Sequence, residues 1–173
     1  MTHPASYSAI EALRDGRRIE IRALRPGDRD ALLAAVERTG TQSLFRRFFA
    51  VRREFSEQEL DFFLNIDFVN HVALVAVAET DGRQAIIGGG RYIVTEPGRA
   101  EIAFAVIDDY QRQGLGSILM RHLGKLAREG GLHEFIAEVL PENTPMLKVF
   151  EHSGLPMATK REPGVVHVTL ALA

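Results

Sequence analysis

The sequence predicts an α+β domain, layered α/β/α around a mixed, mostly antiparallel central sheet of about six to seven strands. Three observations predict it. An alternating strand gives way to an amphipathic helix near the start, three apolar runs follow one another across short turns, and a strand beginning at residue 101 runs through a glycine turn into a helix. With 173 residues and no internal repeat, linker or low-complexity run, residues 18–173 are expected to form a single domain. Residues 1–17 read as an N-terminal extension, disordered in part.

Taken in order, residues 18–24 (RIEIRAL) alternate with Ile19 and Ile21 on one face, as a strand does. Pro26-Gly27-Asp28 breaks that strand and offers Asp28 as the N-cap of a helix through Ala31, Leu32, Ala35 and Val36, closing near Gly40. Within 41–50, Leu44, Phe45, Phe48 and Phe49 make a helical stripe with Arg46 and Arg47 off it. The stripe reads as core, and base stacking by interleaved aromatics and arginines is the weaker alternative. Ser56 and Glu59 form a capping box ahead of Leu60, Phe63 and Leu64, which predicts a short second helix.

The runs 72–78 (VALVAVA) and 85–94 (AIIGGGRYIV) flank Asp81-Gly82, a hairpin turn, and should pair antiparallel. Gly88, Gly89 and Gly90 point to a bend or a close backbone approach in the second run. Pro97-Gly98 then turns the chain into a third meander strand, 100–107. Beyond Gly114, the residues Leu115, Ile118, Leu119, His122, Leu123, Leu126 and Ala127 recur at helical spacing up to Gly130-Gly131. A strand at 135–140 follows, then a helix with Thr144 as N-cap and Pro145 as first residue, stopping at Gly154. Residues 157–161 and 165–172 close the chain as a hairpin around Glu162-Pro163-Gly164.

Composition narrows the function classes. A net charge of −2, from 21 basic and 23 acidic side chains, supplies no global basic field, so no nucleic-acid partner is expected. Without cysteine there is no disulfide framework, thiolate metal site or cysteine nucleophile. The six histidines fall at no ligand spacing, and no metal is expected. Neither a signal-like start nor an apolar run of membrane length is present, so the protein is expected to be soluble, cytoplasmic and free of membrane contact.

The strongest chemical signal is EIAFAVI at 101–107, the pair Asp108-Asp109, and then Gln111-Arg112-Gln113-Gly114-Leu115-Gly116-Ser117. A glycine turn that opens a helix aims N–H groups and the positive end of a helix dipole at one point, which suits a phosphate. A dinucleotide fingerprint would need glycine where Leu119 stands, and a P-loop would need a Gly-Lys-Ser/Thr that the chain lacks. What remains, Q-x-x-G-x-G between strand and helix, resembles the acyl-CoA pyrophosphate loop of the GNAT superfamily of N-acetyltransferases. The meander before it, and the helix, strand, Asn-led helix and final hairpin after it, follow the order of that superfamily over roughly 18–172. The wording of 100–116, AEIAFAVIDDYQRQGLG, is most similar to the bacterial Pat-type protein lysine acetyltransferases, as are 67–76 (DFVNHVALVA) and the glycine strand at 88–92.

That resemblance implies a GNAT-like sheet with a splayed V opening at the fourth strand, and acetyl-CoA as acyl donor. It implies that Gln111, Arg112, Gln113, Gly114, Leu115, Gly116 and Ser117 hold the pyrophosphate, mainly through main-chain N–H groups. Phe104, Ala105 and Val106 would pair with the pantetheine arm like an added strand, the main chain around Val106 would polarise the thioester carbonyl, and Asn143 would hydrogen-bond the arm.

Glu101 is the candidate catalytic base, because a protonated amine must lose a proton before it attacks a thioester. It shares a face with Ala103, Ala105 and Ile107, where partial burial would raise its pKa; the competing reading is a carboxylate in solvent or paired with an arginine. Phe150 departs from the family pattern, since many members carry there a tyrosine that protonates the departing thiolate. Ser153, His152 or a water are the substitutes, although both residues read better as helix-end groups, and a coenzyme A thiolate leaves fairly well unaided. Asp108 and Asp109 read as solvated turn residues rather than a magnesium site. Arg46, Arg47, Arg52 and Arg53 read as a solvated helix face rather than contacts to the cofactor's 3′-phosphate or to a partner. Ser117 lacks the G-x-S-x-G frame of a hydrolase nucleophile.

The expected activity is direct acetyl transfer from acetyl-CoA to an amine held between the early helices and the closing hairpin. A lysine ε-amino group on a protein such as an acyl-CoA synthetase is the first acceptor. A small amine, or a non-catalytic acyl-CoA-binding regulatory module, is the alternative.

Overall fold

The computed structural model describes residues 4–37, 57–107, 110 and 113–172. Its eight-stranded sheet runs in the order β1 (Ser8–Ala12), β2 (Arg18–Ala23), β3 (His71–Thr80), β4 (Arg83–Glu96), β5 (Arg99–Val106), β6 (Glu134–Val139), β8 (Val165–Ala171), β7 (Met157–Glu162). Helices α1 (Arg29–Glu37), α2 (Glu57–Leu64), α3 (Leu115–Glu129) and α4 (Thr144–Glu151) complete the α+β architecture. Neighbouring strands are antiparallel except β5 and β6, which are parallel.

The β3–β4 hairpin forms where Asp81-Gly82 predicts it. Both turn residues take positive φ, 53° and 76°, as a two-residue turn matched to the twist of the strands requires. The glycines of β4 serve a close approach. A Cβ on Gly90 would lie 2.6 Å from Phe104 Cδ1 and 2.9 Å from Leu123 Cδ1, and one on Gly88 would lie 3.0 Å from both Ala105 O and Leu115 Cδ2. Here β4 touches β5 and α3 with nothing between them.

The parallel contact of β5 with β6 is short. Arg99 pairs with Glu134, Ala100 with Phe135 and Glu101 with Ile136, after which the two strands part. The sheet is therefore splayed on the strand where the V opening is expected. The helical stripe from Leu115 to Ala127 packs beneath it, with Leu115, Leu119, Leu123 and Leu126 each no more than 2% exposed.

Four local expectations are corrected. Residues 1–17 are not merely an extension, because Ser8–Ala12 forms β1 and pairs with β2. Its SAIEA alternation is too short and too weakly apolar to announce a strand; the tertiary burial of Tyr7 and Leu13 on either side fixes it. The strand count thus becomes eight. Asp28 does not cap α1, since its carboxylate turns back to accept from Arg25 N at 2.8 Å and from both terminal nitrogens of Arg22, each at 2.8 Å. In α4 the cap is Asn143, whose side chain accepts from Met146 N, and Thr144 is the first helical residue. Helix α2 is present, while Ser56 of its expected capping box and the aromatic stripe at 41–50 lie outside the described residues.

His122, which the helical pattern places among leucines, is buried with a polar role. Nδ1 meets the Tyr7 hydroxyl and Nε2 lies 2.5 Å from Glu11 Oε2, which Arg121 also contacts at 2.8 Å. Burial, and then the Glu11 carboxylate, push the Tyr7 phenol above its ordinary value. The cluster ties β1 to α3.

Two outcomes follow from this packing. Gly90→Ala should force Phe104 or Leu123 out of place and lower the unfolding free energy by about 1–3 kcal/mol, read from the denaturant midpoint. The second concerns the Arg22–Asp28 pair, whose side chains are 12% and 10% exposed. Burial alone would raise the Asp28 carboxyl, but the hydrogen bonds from Arg22 and Arg25 N, with the charges of both arginines, hold it below its ordinary 3.8. The folded state therefore binds that proton more weakly than the unfolded chain. Its stabilisation is complete above the unfolded range and is lost as pH falls through the folded value. Arg22→Ala should cost about 2–3 kcal/mol at neutral pH, with the difference from the parent protein narrowing below the ordinary carboxylate range in acid-unfolding profiles.

Candidate active site

Where β5 leaves β6, the strand borders a cleft of about 750 Å³. The strand's alternation sets which groups point there. Ile107 N donates to Ile87 O at 2.9 Å, so the residues in step with Ile107 turn their main-chain groups to β4, and Phe104 turns its own toward the opening. Phe104, Ala105 and Val106 all line the cleft.

The floor of the cleft is the start of α3. Gly114 precedes the helix at φ 85°, a left-handed conformation that glycine adopts without strain, and no side chain caps this end. The first helical hydrogen bond is Ile118 N to Gly114 O, at 3.1 Å. The N–H groups of Leu115, Gly116 and Ser117 therefore have no acceptor within the helix, and all three residues line the cleft with Gly114. A Cβ on Gly116 would lie 3.0 Å from Val149 Cγ2, so the glycine also lets α4 close in on α3.

Gln113 stands just behind this floor. Its carbonyl accepts from Arg14 N at 3.1 Å, and its Oε1 is buried with no hydrogen-bond partner among the described residues. Gln111 and Arg112 lie outside the described residues. Asn143, 4% exposed, lines the cleft, but its side-chain oxygen accepts from Met146 N at 3.2 Å and is thereby committed to capping α4.

Glu101 occupies a different place. It forms the last residue pair before β5 and β6 separate, about 13 Å along the strand from Ala105 at the usual rise per residue. Its side chain is exposed, which corrects the expected partial burial: the neighbours on its face, Ala103 and Ala105, are too small to wall it in. In register it shares a row across the sheet with Ile93 and His71, and Arg91, which meets His71 Nε2 at 2.9 Å, pairs with the next residue on that face, Ala103.

Phe150 is 1% exposed and packs its ring 6.1 Å from that of Phe104, so the side chain belongs to the core beneath β5 rather than to the cleft. Ser153 is a helix-end group, donating to Phe150 O at 2.7 Å and accepting from Leu155 N at 3.2 Å. His152 does line the cleft.

Several lining residues escape sequence reasoning. Pro145 and Val149 stand at i and i+4 on one face of α4, and His152, weighed in the sequence only as a substitute acid, follows just past the helix end. Arg14 and Tyr110 carry no such signal, because only the tertiary fold brings the β1–β2 turn to the glycine loop. Among the described lining residues the charged or chargeable side chains are Arg14, Lys148 and His152, together with the Tyr110 phenol, and none is an Asp or Glu. In a chain of net charge −2, Arg14 and Lys148 supply local positive charge suited to a polyanion. Among the described residues no group of three or more His, Asp or Glu side chains is gathered as a metal site. Nor is any described helix long and apolar enough to cross a membrane.

A sheet splayed over a glycine-opened helix is the architecture of an acyl-CoA-type transferase, and the comparisons with known proteins agree. The family model of the Acetyltransferase (GNAT) family matches residues 38–155, well over half of the chain, and the chain belongs to that family of acetyltransferases. It is 36% identical over 126 residues to the acetyltransferase PA5475 of Pseudomonas aeruginosa, covering 72% of this chain and 68% of that protein. Over 144 residues it is 31% identical to the acetyltransferase Pat of Mycolicibacterium smegmatis, covering 82% of this chain but 42% of that longer protein. The GNAT domain of S. lividans PAT superposes with a TM-score of 0.85 at 34% identity, over 95% of this chain and 96% of that one.

The cap at Asn143 can be weighed directly. Asn143→Ala should lower the unfolding free energy by about 1 kcal/mol in the ligand-free protein, measured by denaturant titration.

Proposed function

We propose that the chain transfers the acetyl group of acetyl-CoA to a primary amine, with a protein lysine ε-amino group, on an acyl-CoA synthetase or similar enzyme, as the preferred acceptor. The observation that carries this reading is the termination of the β5–β6 pairing at Glu101 and Ile136, which leaves Phe104, Ala105 and Val106 beside a cleft that ends at the uncapped start of α3. An extended pantetheine arm fits the vacated strand position, since it can exchange amide hydrogen bonds with β5 as a strand would. The N–H groups of Leu115, Gly116 and Ser117, with Gly114 allowing close approach and Gln113 behind, suit the pyrophosphate. The likeness to the two Pat proteins supports a lysine acceptor.

In the reaction the amine nitrogen attacks the thioester carbon, the carbonyl oxygen takes up negative charge, and the C–S bond then breaks as the nitrogen releases its second proton to solvent, giving an amide and coenzyme A thiolate. Main-chain donors of β5 near Val106 would stabilise that oxygen. Glu101, exposed at the vertex of the V, would take the ammonium proton, directly or through water. The burial of Phe150 supports a leaving step without a side-chain acid at that position, the thiolate being stable enough to depart and take its proton from solvent.

The test is incubation of the purified chain with labelled acetyl-CoA and either an acyl-CoA synthetase or a panel of small amines. Label on a synthetase lysine is expected; transfer to small amines alone would reassign the acceptor, and binding without any transfer would identify a regulatory acyl-CoA module instead. Glu101→Gln should slow transfer about 100-fold at neutral pH while leaving the Kd for acetyl-CoA unchanged. An unaltered rate would remove Glu101 as the base.

A further inference from the structure

We infer that Arg14, carried on the turn between β1 and β2, is a ligand of the donor's pyrophosphate, reaching the glycine loop from a hairpin outside the strand–loop–helix unit. The inference rests on acetyl-CoA as donor and adds to it a residue supplied by the first hairpin.

The turn is built to hold this side chain in place. Leu13 N donates to Arg17 O at 2.8 Å and Gly16 N to Leu13 O at 2.9 Å, closing the tip. Asp15, the acid of the turn, is engaged by Arg17, whose Nη2 lies 2.7 Å from Asp15 Oδ2. The Arg17 guanidinium in turn sits 4.3 Å above the Tyr110 ring, at the side of the cleft. Arg14 itself donates its main-chain N–H to Gln113 O at 3.1 Å, which registers the turn against the glycine loop. At its base the hairpin is fastened to α3 by Tyr7, Glu11, His122 and Arg121. Held at both ends, the hairpin positions Arg14 before any ligand arrives, and such preorganisation favours affinity.

Geometry directs the side chain at the phosphate site. A Cβ on Gly114 would lie 3.4 Å from Arg14 Nε and 3.7 Å from its Cγ, so the arginine lies against the residue that opens the loop. Arg14 lines the same cleft as Leu115, Gly116 and Ser117, whose N–H groups have no helical acceptor. A guanidinium beside such N–H groups presents a planar fork that matches two phosphoryl oxygens. Lys148, the other basic side chain among the described lining residues, belongs to α4 and not to the loop.

Calorimetric titration of the whole chain with coenzyme A and with 3′-dephospho-coenzyme A tests this. Arg14→Gln should weaken both ligands by about 10-fold or more, with Arg14→Lys recovering part of the loss. The rise in unfolding midpoint induced by coenzyme A should shrink in Arg14→Gln and be partly restored in Arg14→Lys. Unchanged affinity for both ligands would overturn the inference. So would a loss confined to coenzyme A, which would put Arg14 at the 3′-phosphate, or a loss matched by a lowered ligand-free midpoint that lysine fails to restore, which would make it a structural residue of the turn. A parent protein that binds neither ligand would instead overturn the donor reading and take this inference with it.

Discussion

The missing side chains of Gly88 and Gly90 govern the geometry of everything near the cleft. Because no Cβ stands between them, Leu115 and Leu123 of α3 press onto β4, and Phe104 of β5 settles into the same space. Both ends of the cleft are thereby referred to one strand: β5 lies alongside β4, and the first turn of α3 lies across it. A methyl group at either position would push α3 outward, and the N–H groups of residues 115–117 would no longer converge on the open edge of β5. Close packing of this kind tolerates little adjustment, since displaced atoms have no void to enter.

Within that frame two kinds of main-chain opportunity meet. One is a strand edge inside the sheet, where the β5–β6 pairing ends at Glu101; the other is a helix start with no side-chain cap. Main-chain N–H and C=O groups need polar partners when buried, so both places suit a ligand of matching polarity. A molecule with amides at one end and phosphates at the other answers both. The cationic lining of the cleft, set in a chain that is slightly acidic as a whole, limits the attraction to that place and avoids a general affinity for polyanions.

Most of the architecture was legible because it rests on local patterns. Alternation in 72–78, the Asp81-Gly82 turn and the leucine stripe of 115–127 each carry their own structural instruction, and the strands and helices appear where those patterns put them. The cleft was legible through Phe104, Ala105, Val106 and Gly114 to Ser117, all of which line it. What escaped depends on distant parts of the chain. β1 is held by Tyr7 and Leu13 reaching a core that includes distant parts of the chain, and Arg14 is set against the glycine loop by the carbonyl that Gln113 offers to its N–H. Asp28 deceived for a related reason: a sequence shows a capping residue, but not that a bidentate arginine six positions earlier will claim its carboxylate. Exposure at Glu101 was misjudged because alternation identifies a face, whereas the small size of Ala103 and Ala105 decides whether that face is covered.

The seam between β5 and β6 has a mechanical meaning. Strands β1–β5 form one leaf and β6–β8 another; across the seam run three residue pairs, His133 N and Glu134 N both donating to Gly98 O at 2.8 and 3.2 Å, the Arg99–Glu134 ion pair and the packing of Tyr92 on Phe135. Such a seam is a spine, and opening or closing of the two leaves must bend the chain there. Displacement about a spine grows with distance from it, so any opening of the cleft would move Val106 more than Glu101. The carboxylate therefore stands beside the seam, in register with Ile93 and Ile136, where any widening of the cleft would displace it least.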